Sequence, residues 1–281
     1  MRRLCFLSMD DLGSYVADDE LAIVPLSELG WQVSTLSWRQ RERDWGEFEA
    51  VIIRTPWDYQ TSATEFLDVL ADIERRTRLE NPLEIVRWNL DKRYLREMSA
   101  RGLRIVPTIW DAQYSAVEFD RWVTELDTSE LIVKPTVSAT AAHTYRLSAY
   151  DPSLERVFSE RPFMVQPFMA NILGEGEYSL FYFNGEFSHA INKSPKTNDF
   201  RVQEEHGGII TAIEPYERLR EAGSRAVNAI RTLLYARIDL VRDASDELCL
   251  MELELIEPAL YLRMDQRAPK WFAAAIDFLL K

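Results

Sequence analysis

Cysteine is scarce in this sequence. Cys5 and Cys249 are the only two among 281 residues; they sit in separate apolar runs and form no CxxC pair. Neither a disulfide framework nor a thiolate metal site is suggested, and a reducing cytoplasm fits. Apolar runs of membrane-spanning length are also missing. Met1-Arg2-Arg3 leads into a short strand-like stretch that is broken by Asp10 and Asp11. The chain therefore reads as soluble and unexported, with no membrane partner. Cations are in short supply as well: 33 Lys and Arg against 46 Asp and Glu leave a net charge of -13. This argues against a nucleic-acid partner held through its phosphates, which needs clustered Lys and Arg. A nucleotide substrate remains open, because two or three placed cations and metal-binding carboxylates hold a polyphosphate while the rest of the surface stays acidic. Repeats and low-complexity tails are absent too.

What is present is enough apolar material, 47% of residues, for more than one globular unit. Strand-like stretches at 4–9, 31–36 and 49–55 alternate with helix-like stretches at 19–29 and 63–73, which predicts a small parallel sheet with helices on its faces. The 49–55 strand runs into Arg54, Asp58 and Tyr59. Polar side chains at the carboxyl end of such a strand sit where open α/β sheets place ligands. Near residue 87 the pattern changes: Asn89 or Asp91 is placed to cap a helix through Leu95 and Met98, stopped by Gly102. Strands at 103–106 and 131–133 flank a helix at 116–126, followed by a loop of small and hydroxyl-bearing residues at 136–142. Further strands are expected at 163–165, 178–183 and 186–191, the last two joined by the hairpin signal Asn184-Gly185. A long helix at 215–235, strands at 238–241 and 248–256 about a turn at 243–246, and a helix at 269–280 complete an α+β region.

Several constellations carry chemistry. On a strand, residues two apart share a face, so Glu252 and Glu254 project together, and a neighbouring antiparallel strand would bring Asp239 beside them. Three carboxylates on one face repel unless a hard cation neutralises them, and magnesium with substrate phosphates suits such oxygen ligands. Alone, a Glu-x-Glu pair is more often the solvated face of an edge strand. Lys134 closes an apolar strand ahead of the small-residue loop, where an ammonium reaches phosphate oxygens. Gln166, Pro167 and Phe168 end another strand in a shape that presents backbone groups to a purine edge. Glu175 and Glu177 offer acceptors for ribose hydroxyls. Arg54, Asp58 and Tyr59 match the two charges of a small zwitterion, with a structural ion pair as the competing view. Lys193, Arg201 and Arg263 are cations within reach of phosphate or substrate. His143, in the lid loop, and His189 and His206 read first as structural or exposed.

The order and spacing of Lys92, Lys134, residues 165–168, Glu177, Arg237-x-Asp239 and Glu252-x-Glu254 resemble the ATP-grasp superfamily over nearly the whole chain. Within it, the segments 54–59, 87–95, 185–190 and 252–258 look like the cycloserine synthetase group, cyclo-ligases acting on O-ureido-serine. The resemblance implies an ATP-grasp fold of α/β and α+β parts in three lobes: 1–86 on the substrate side, 87–168 in the middle, and 169–281 carrying the metal site. ATP would be clasped between the middle and C-terminal lobes. Lys92 and Lys134 would neutralise phosphates, Ser138 and Ala139 would lie in the lid, the backbone from Gln166 to Phe168 would meet adenine, and Glu177, with Glu175 beside it, would hold ribose. Asp239, Glu252 and Glu254 would hold magnesium, two ions being expected, with manganese as the alternative metal. Many relatives carry Asn where this chain has Glu254, and Ser138-Ala139-Thr140 replaces the usual glycine-rich phosphate loop.

The chemistry implied is attack by a small amino-acid-like carboxylate on the γ-phosphate, giving an acyl phosphate open to an amine. Arg237 would offset the transition-state charge, aided by Lys193 and Arg201, with Arg54, Asp58, Tyr59 and Arg263 on the substrate. The amine belongs either to the same molecule, as in a cyclo-ligase, or to a second one. A nucleotide-binding regulator without turnover is the alternative from another class. A homodimer is compatible with the superfamily.

Overall fold

A computed structural model describes residues 2–40, 42–138 and 141–281. Ala139 of the expected lid therefore lies outside the described residues. Strands β1 (Arg2–Ser8), β2 (Trp31–Ser37), β3 (Ala50–Thr55) and β4 (Arg78–Glu80) form a parallel sheet in the order β2-β1-β3-β4. Alternation along β1 divides the apolar residues between two cores. Leu4 and Phe6 meet Phe272 and Ile276 of the last helix, Ala268–Leu279, whereas Cys5 and Leu7 meet Phe66, Leu70 and Ile73 of the helix Ala63–Arg76. The end of the chain thus closes one face of its first sheet.

Strands β5 (Ile109–Trp110), β6 (Leu131–Pro135), β7 (Tyr145–Leu147) and β8 (Phe163–Pro167) make a second, antiparallel sheet in the order β5-β8-β6-β7. The third is antiparallel with five strands: β9 (Glu177–Phe183), β10 (Glu186–Ser194), β11 (Ile209–Ile213), β12 (Tyr235–Arg242) and β13 (Leu248–Glu254), in the order β11-β10-β9-β12-β13. Asn184 and Gly185 turn β9 into β10 with φ of 49° and 81°, the left-handed pair a two-residue hairpin needs. Helices Tyr94–Ala100 and Glu217–Asn228 share the core beneath this sheet with Leu180, Ile238 and Leu253.

Some expected elements differ. Residues 103–106 make no strand but a single bridge, Ile105 to Leu250, held by Leu250 N–H to Arg104 O (2.8 Å) and Val106 N–H to Leu250 O (3.2 Å). The helix expected to reach residue 235 stops at Asn228, and Tyr235 opens β12 because its ring is wholly buried at the seam between sheets. Strands β4, β5 and β7 have three residues or fewer, too short to show a period of two.

β13 is an edge strand, and side chains cover its open backbone and its continuation. Asn89 exchanges hydrogen bonds with Leu253 O (2.9 Å) and Leu255 N–H (3.0 Å), and Leu253 N–H donates to the Tyr94 hydroxyl (2.8 Å). Asn81 Nδ2 donates to Leu255 O (2.7 Å) and Tyr235 O (3.0 Å). The Tyr235 hydroxyl accepts the Asn81 N–H (3.2 Å) and lies 2.8 Å from the carbonyls of both Ile53 and Ile256, so it ties the first sheet to the third. Asn81→Ala leaves two buried carbonyls without this donor. The expected cost is about 1–3 kcal/mol in denaturant unfolding, and an unchanged midpoint would show that the seam carries no such strain on the backbone.

Candidate active site

One cavity collects side chains from the second and third sheets and from the segments that follow β1 and β3 of the first. β13 is its axis. Met251, Glu252 and Glu254 line it in succession, and Glu257 continues the series just beyond the strand. Opposite Met251 the wall is apolar: Ile132 of β6, Pro167 and Phe168 at the end of β8, then Met169 and Ile172. The charged middle is made by Lys92, Lys134, Glu177, Lys193, Arg237 and Asp239 together with the two glutamates of β13. Tyr15, Trp57 and Tyr59 close the remaining side.

Strand register explains the charged middle. β12 and β13 place Arg237 opposite Glu254 and Asp239 opposite Glu252, while β9 and β10 place Glu177 opposite Lys193. Gly176, at φ +88°, makes the last pairing possible: a Cβ there would come within 2.7 Å of Lys193 O. Arg237 donates to Asp239 Oδ2 (2.9 Å) and also pairs with Glu254; Lys193 Nζ lies 2.5 Å from Glu177 and 3.3 Å from Asp239. Ser179 donates a further hydrogen bond to Asp239. Burial disfavours the Asp239 carboxylate, but Arg237 and Lys193 outweigh it and hold the carboxyl down at about 2. Burial instead wins at Glu254, reinforced by the charges of Asp239 and Glu252, and raises it despite Arg237.

The three carboxylates expected to hold a metal all face the cavity, yet each is engaged by a cation, Glu252 by Lys92 Nζ at 3.0 Å. Among the described residues no three Asp, Glu, His or Cys side chains form a metal-holding cluster on their own. As a donor set they still suit magnesium, whose preferred protein ligands are one or two carboxylates completed by phosphate oxygens.

Lys134 stands apart. Its side chain is buried, its Nζ lies 4.0 Å from the Met251 sulfur, and among the described residues it has no ion-pair partner. Burial pushes its ammonium down to about 8; Glu252 and Glu177 oppose this and Lys92 adds to it. Lys92 Nζ also donates to Ser138 O (2.6 Å), and its N–H to Thr136 O (2.8 Å), so it anchors the small-residue loop at the cavity mouth.

Other expected site residues are engaged within the fold, some outside the cavity and some along its wall. Arg54 does not emerge from β3: it is 1% exposed, with Nε 2.7 Å from Asp19, one terminal nitrogen 2.8 Å from Pro258 O, and the rings of Tyr235 and Phe272 nearby. Asp58 accepts from Trp38 Nε1 (2.7 Å) and pairs with Arg39 (2.8 Å), outside the cavity. Each finds its counter-charge within the fold, and neither lines the cavity. Glu175 is bound by Arg242 (2.9 Å) and the Tyr178 hydroxyl and does not line the cavity. Arg263 joins Asp18 (2.9 Å) to Glu204 (2.7 Å) rather than facing the cavity. Arg201 lines the cavity with its guanidinium tied to Asp199 (2.9 Å). Glu177 lines it too, its carboxylate taken by Lys193. The Phe168 N–H is committed to Glu130 O (2.8 Å), while Gln166 Nε2 donates to Thr108 (2.9 Å). His189 stacks on Phe181 at 4.3 Å with Nε2 2.9 Å from Leu260 O, and burial lowers it to about 4, a neutral structural imidazole. His143 is exposed.

Tyr15, Trp57, Glu257 and Met169 were not singled out from the sequence. Trp57 and Glu257 lie in the segments 54–59 and 252–258 that carry the resemblance; nothing in the sequence marks Tyr15 or Met169.

Comparison with known proteins gives the family and the fold. A family model for the N-terminal domain of the D-cycloserine synthetase DcsG matches residues 4–81. The cycloserine biosynthesis protein DcsG of Streptomyces lavendulae is 30% identical over 277 residues, covering 90% of this chain and 90% of that protein. The crystal structure of D-cycloserine synthetase DcsG superposes with a TM-score of 0.85 at 27% identity, covering 99% of this chain and 100% of that one. The ATP-grasp ligase PsnB, complexed with a phosphomimetic variant of its minimal precursor, Mg and ADP, gives a TM-score of 0.69 at 17% identity, covering 99% and 98%, and so shares the fold. Among the described residues no helix is long and apolar enough to cross a membrane.

Removing Arg54 strips the partly buried Asp19 carboxylate and the Pro258 carbonyl of their partner. Arg54→Ala is expected to cost about 3–5 kcal/mol of stability, read as a lower melting temperature. Unchanged melting with a selective loss of amino-acid affinity would return Arg54 to the substrate.

Proposed function

The chain belongs to the family of the D-cycloserine synthetase DcsG and is an ATP-dependent carbon–nitrogen ligase of ATP-grasp fold; on that premise we propose that its cavity binds magnesium ATP and activates a small amino-acid-like carboxylate as an acyl phosphate. The observation that carries the proposal is Lys134, a buried ammonium that has no ion-pair partner among the described residues. Leaving a charge unpaired away from water is expensive, so a site of this kind is shaped for an incoming anion. Phosphate oxygens beside Lys134 and Lys92 complete it. The apolar wall of Ile132, Pro167, Phe168, Met169 and Ile172 then takes the base, since it adjoins Lys134 through Met251.

Five cationic side chains line the cavity against six carboxylates, so a polyphosphate would meet net repulsion if it came alone. Magnesium supplies the missing positive charge, and Glu252, Asp239 and Glu254 are the side chains that would hold it. A substrate carboxylate oxygen attacks the γ-phosphorus, the bond to the β-phosphate oxygen breaks, and ADP leaves. Arg237, fixed by Asp239 and Glu254, is placed to offset charge on the transferring group without reorganising. An amine then attacks the acyl carbon, phosphate departs and the amine loses a proton. The loop anchored by Lys92 would cover the acyl phosphate and keep water out. An amine from the same molecule, closing a ring, is favoured by the likeness to D-cycloserine synthetase over nearly the full length of both chains.

Two outcomes test this. Lys134 is charged below pH 8 and largely neutral above it in the free enzyme, whereas bound phosphate favours the charged form. ATP binding should therefore take up a proton above pH 8 and not below, measured by calorimetry in buffers of different ionisation enthalpy. Lys134→Ala should abolish that uptake and weaken ATP binding by about 1.5–3 kcal/mol, roughly ten- to a hundredfold; unchanged affinity and uptake would remove the nucleotide from this site. Glu252, less buried than Asp239, allows a cleaner probe of the metal. Glu252→Gln should lower ADP release roughly ten- to a hundredfold with little change in melting temperature, and most strongly at limiting magnesium. Normal turnover there would take Glu252 out of the metal site.

A further inference from the structure

The cavity holds a second unpaired charge, of the opposite sign to Lys134. Glu257 follows β13, and among the described residues it has no ion-pair partner. The cations that act on it from a distance are already engaged: Lys92 with Glu252, and Arg237 with Asp239 and Glu254. The first sheet holds Glu257 in place from the opposite side. Trp57 Nε1 donates to its backbone carbonyl at 2.8 Å, and the Tyr59 hydroxyl donates to its carboxylate. Tyr59 is itself buried and stacked on Phe66 at 4.6 Å, so the hydroxyl is rigidly presented. Tyr15 and Trp57, with ring centroids 5.4 Å apart and planes tilted by 55°, line the same cavity, Trp57 meeting the Glu257 backbone.

A lone carboxylate beside aromatic walls suits an organic cation. Ring faces attract a positive charge and add nothing for an anion or a metal ion, which wants oxygen on several sides. We propose that Glu257, oriented by Tyr59 and walled by Tyr15 and Trp57, is the subsite that binds the primary ammonium group of the carboxylate substrate. This rests on the reading of the cavity as the ligase site, and it adds the position of the substrate within it. The ammonium lies at Glu257, the nucleotide phosphates at Lys134, and the substrate carboxylate between them, near Arg237 and the glutamates of β13. Burial raises Glu257 to about 7, the behaviour of a carboxyl group whose counter-charge arrives with a ligand. Glu257 is then a specificity determinant, and Tyr59 a positioning residue that acts through it.

The test is calorimetry on the full chain saturated with magnesium and AMPPNP, titrated with O-ureido-serine and with its N-acetyl derivative, which lacks the positive charge. Wild-type protein should bind the free amine at least about tenfold more tightly. Glu257→Gln, which keeps the size and the Tyr59 contact, should reduce that preference to less than about threefold while AMPPNP affinity and melting temperature hold. Tyr59→Phe should give a smaller loss of the same selectivity and serves if the first variant does not fold. A Glu257→Gln protein that still prefers the amine tenfold overturns the inference, as does wild-type protein that binds AMPPNP but neither amine nor amide, or both equally. In those cases the nucleotide site stands. Wild-type protein that binds no AMPPNP defeats the nucleotide reading, and the inference with it.

Discussion

Charge cannot be left alone in a place without water, and that constraint organises the centre of this protein. β9, β10 and β12 carry Glu177, Lys193, Arg237 and Asp239 on one buried face of the third sheet, where each is within hydrogen-bonding distance of an opposite charge. The set survives burial because it is paired and because Ser179 and the Ala259 carbonyl take up spare hydrogen-bonding capacity. Deleting a member would leave its neighbour buried and uncompensated, so the network specifies strand register as well as chemistry. Shifting β13 by one residue against β12 would turn Glu252 and Glu254 into the core and Leu253 into the charges.

Against this paired background, Lys134 and Glu257 have no ion-pair partner among the described residues. They have opposite signs and line one cavity, Lys134 from a strand of the second sheet and Glu257 from the segment after the last strand of the third. Each would destabilise the ligand-free protein if it stayed fully charged, and burial moves each toward neutrality. Such an arrangement stores recognition: a ligand with phosphates at one end and an ammonium at the other restores both charges at once. The exact spacing of the two ends depends on how the first sheet sits against the third. That seam is held by Arg54 reaching Pro258, Asn81 reaching Leu255, and Tyr235 spanning Ile53 and Ile256. All three contacts flank the segment that delivers Glu257, so residues far from any substrate atom set its position.

The sequence by itself determined three of the four strands of the parallel sheet and the helices between them, the Asn184-Gly185 hairpin, the face shared by Glu252 and Glu254, and the order of the ATP-grasp signature. These are local or periodic properties, fixed by alternation, by turn residues that accept positive φ, and by spacing along the chain. Lys134, Lys193 and Arg237 were legible as cations near a strand end for the same reason, and Lys92 only through its place in the ATP-grasp signature. Which charges meet was a matter for the tertiary structure alone. Arg54 and Asp58 look like one recognition pair in sequence, four residues apart, yet Arg54 is claimed by Asp19 and Asp58 by Arg39 and Trp38. Glu175 and Arg263 went the same way, to Arg242 and to Asp18 with Glu204. Glu257 reads as an ordinary acidic residue before a proline, and it becomes a distinct one only because Trp57 and Tyr59 arrive from about 200 residues earlier and no cation arrives with them. A charge's partner is set by distance in space, and a chain folded through three sheets carries little record of that distance in its linear order.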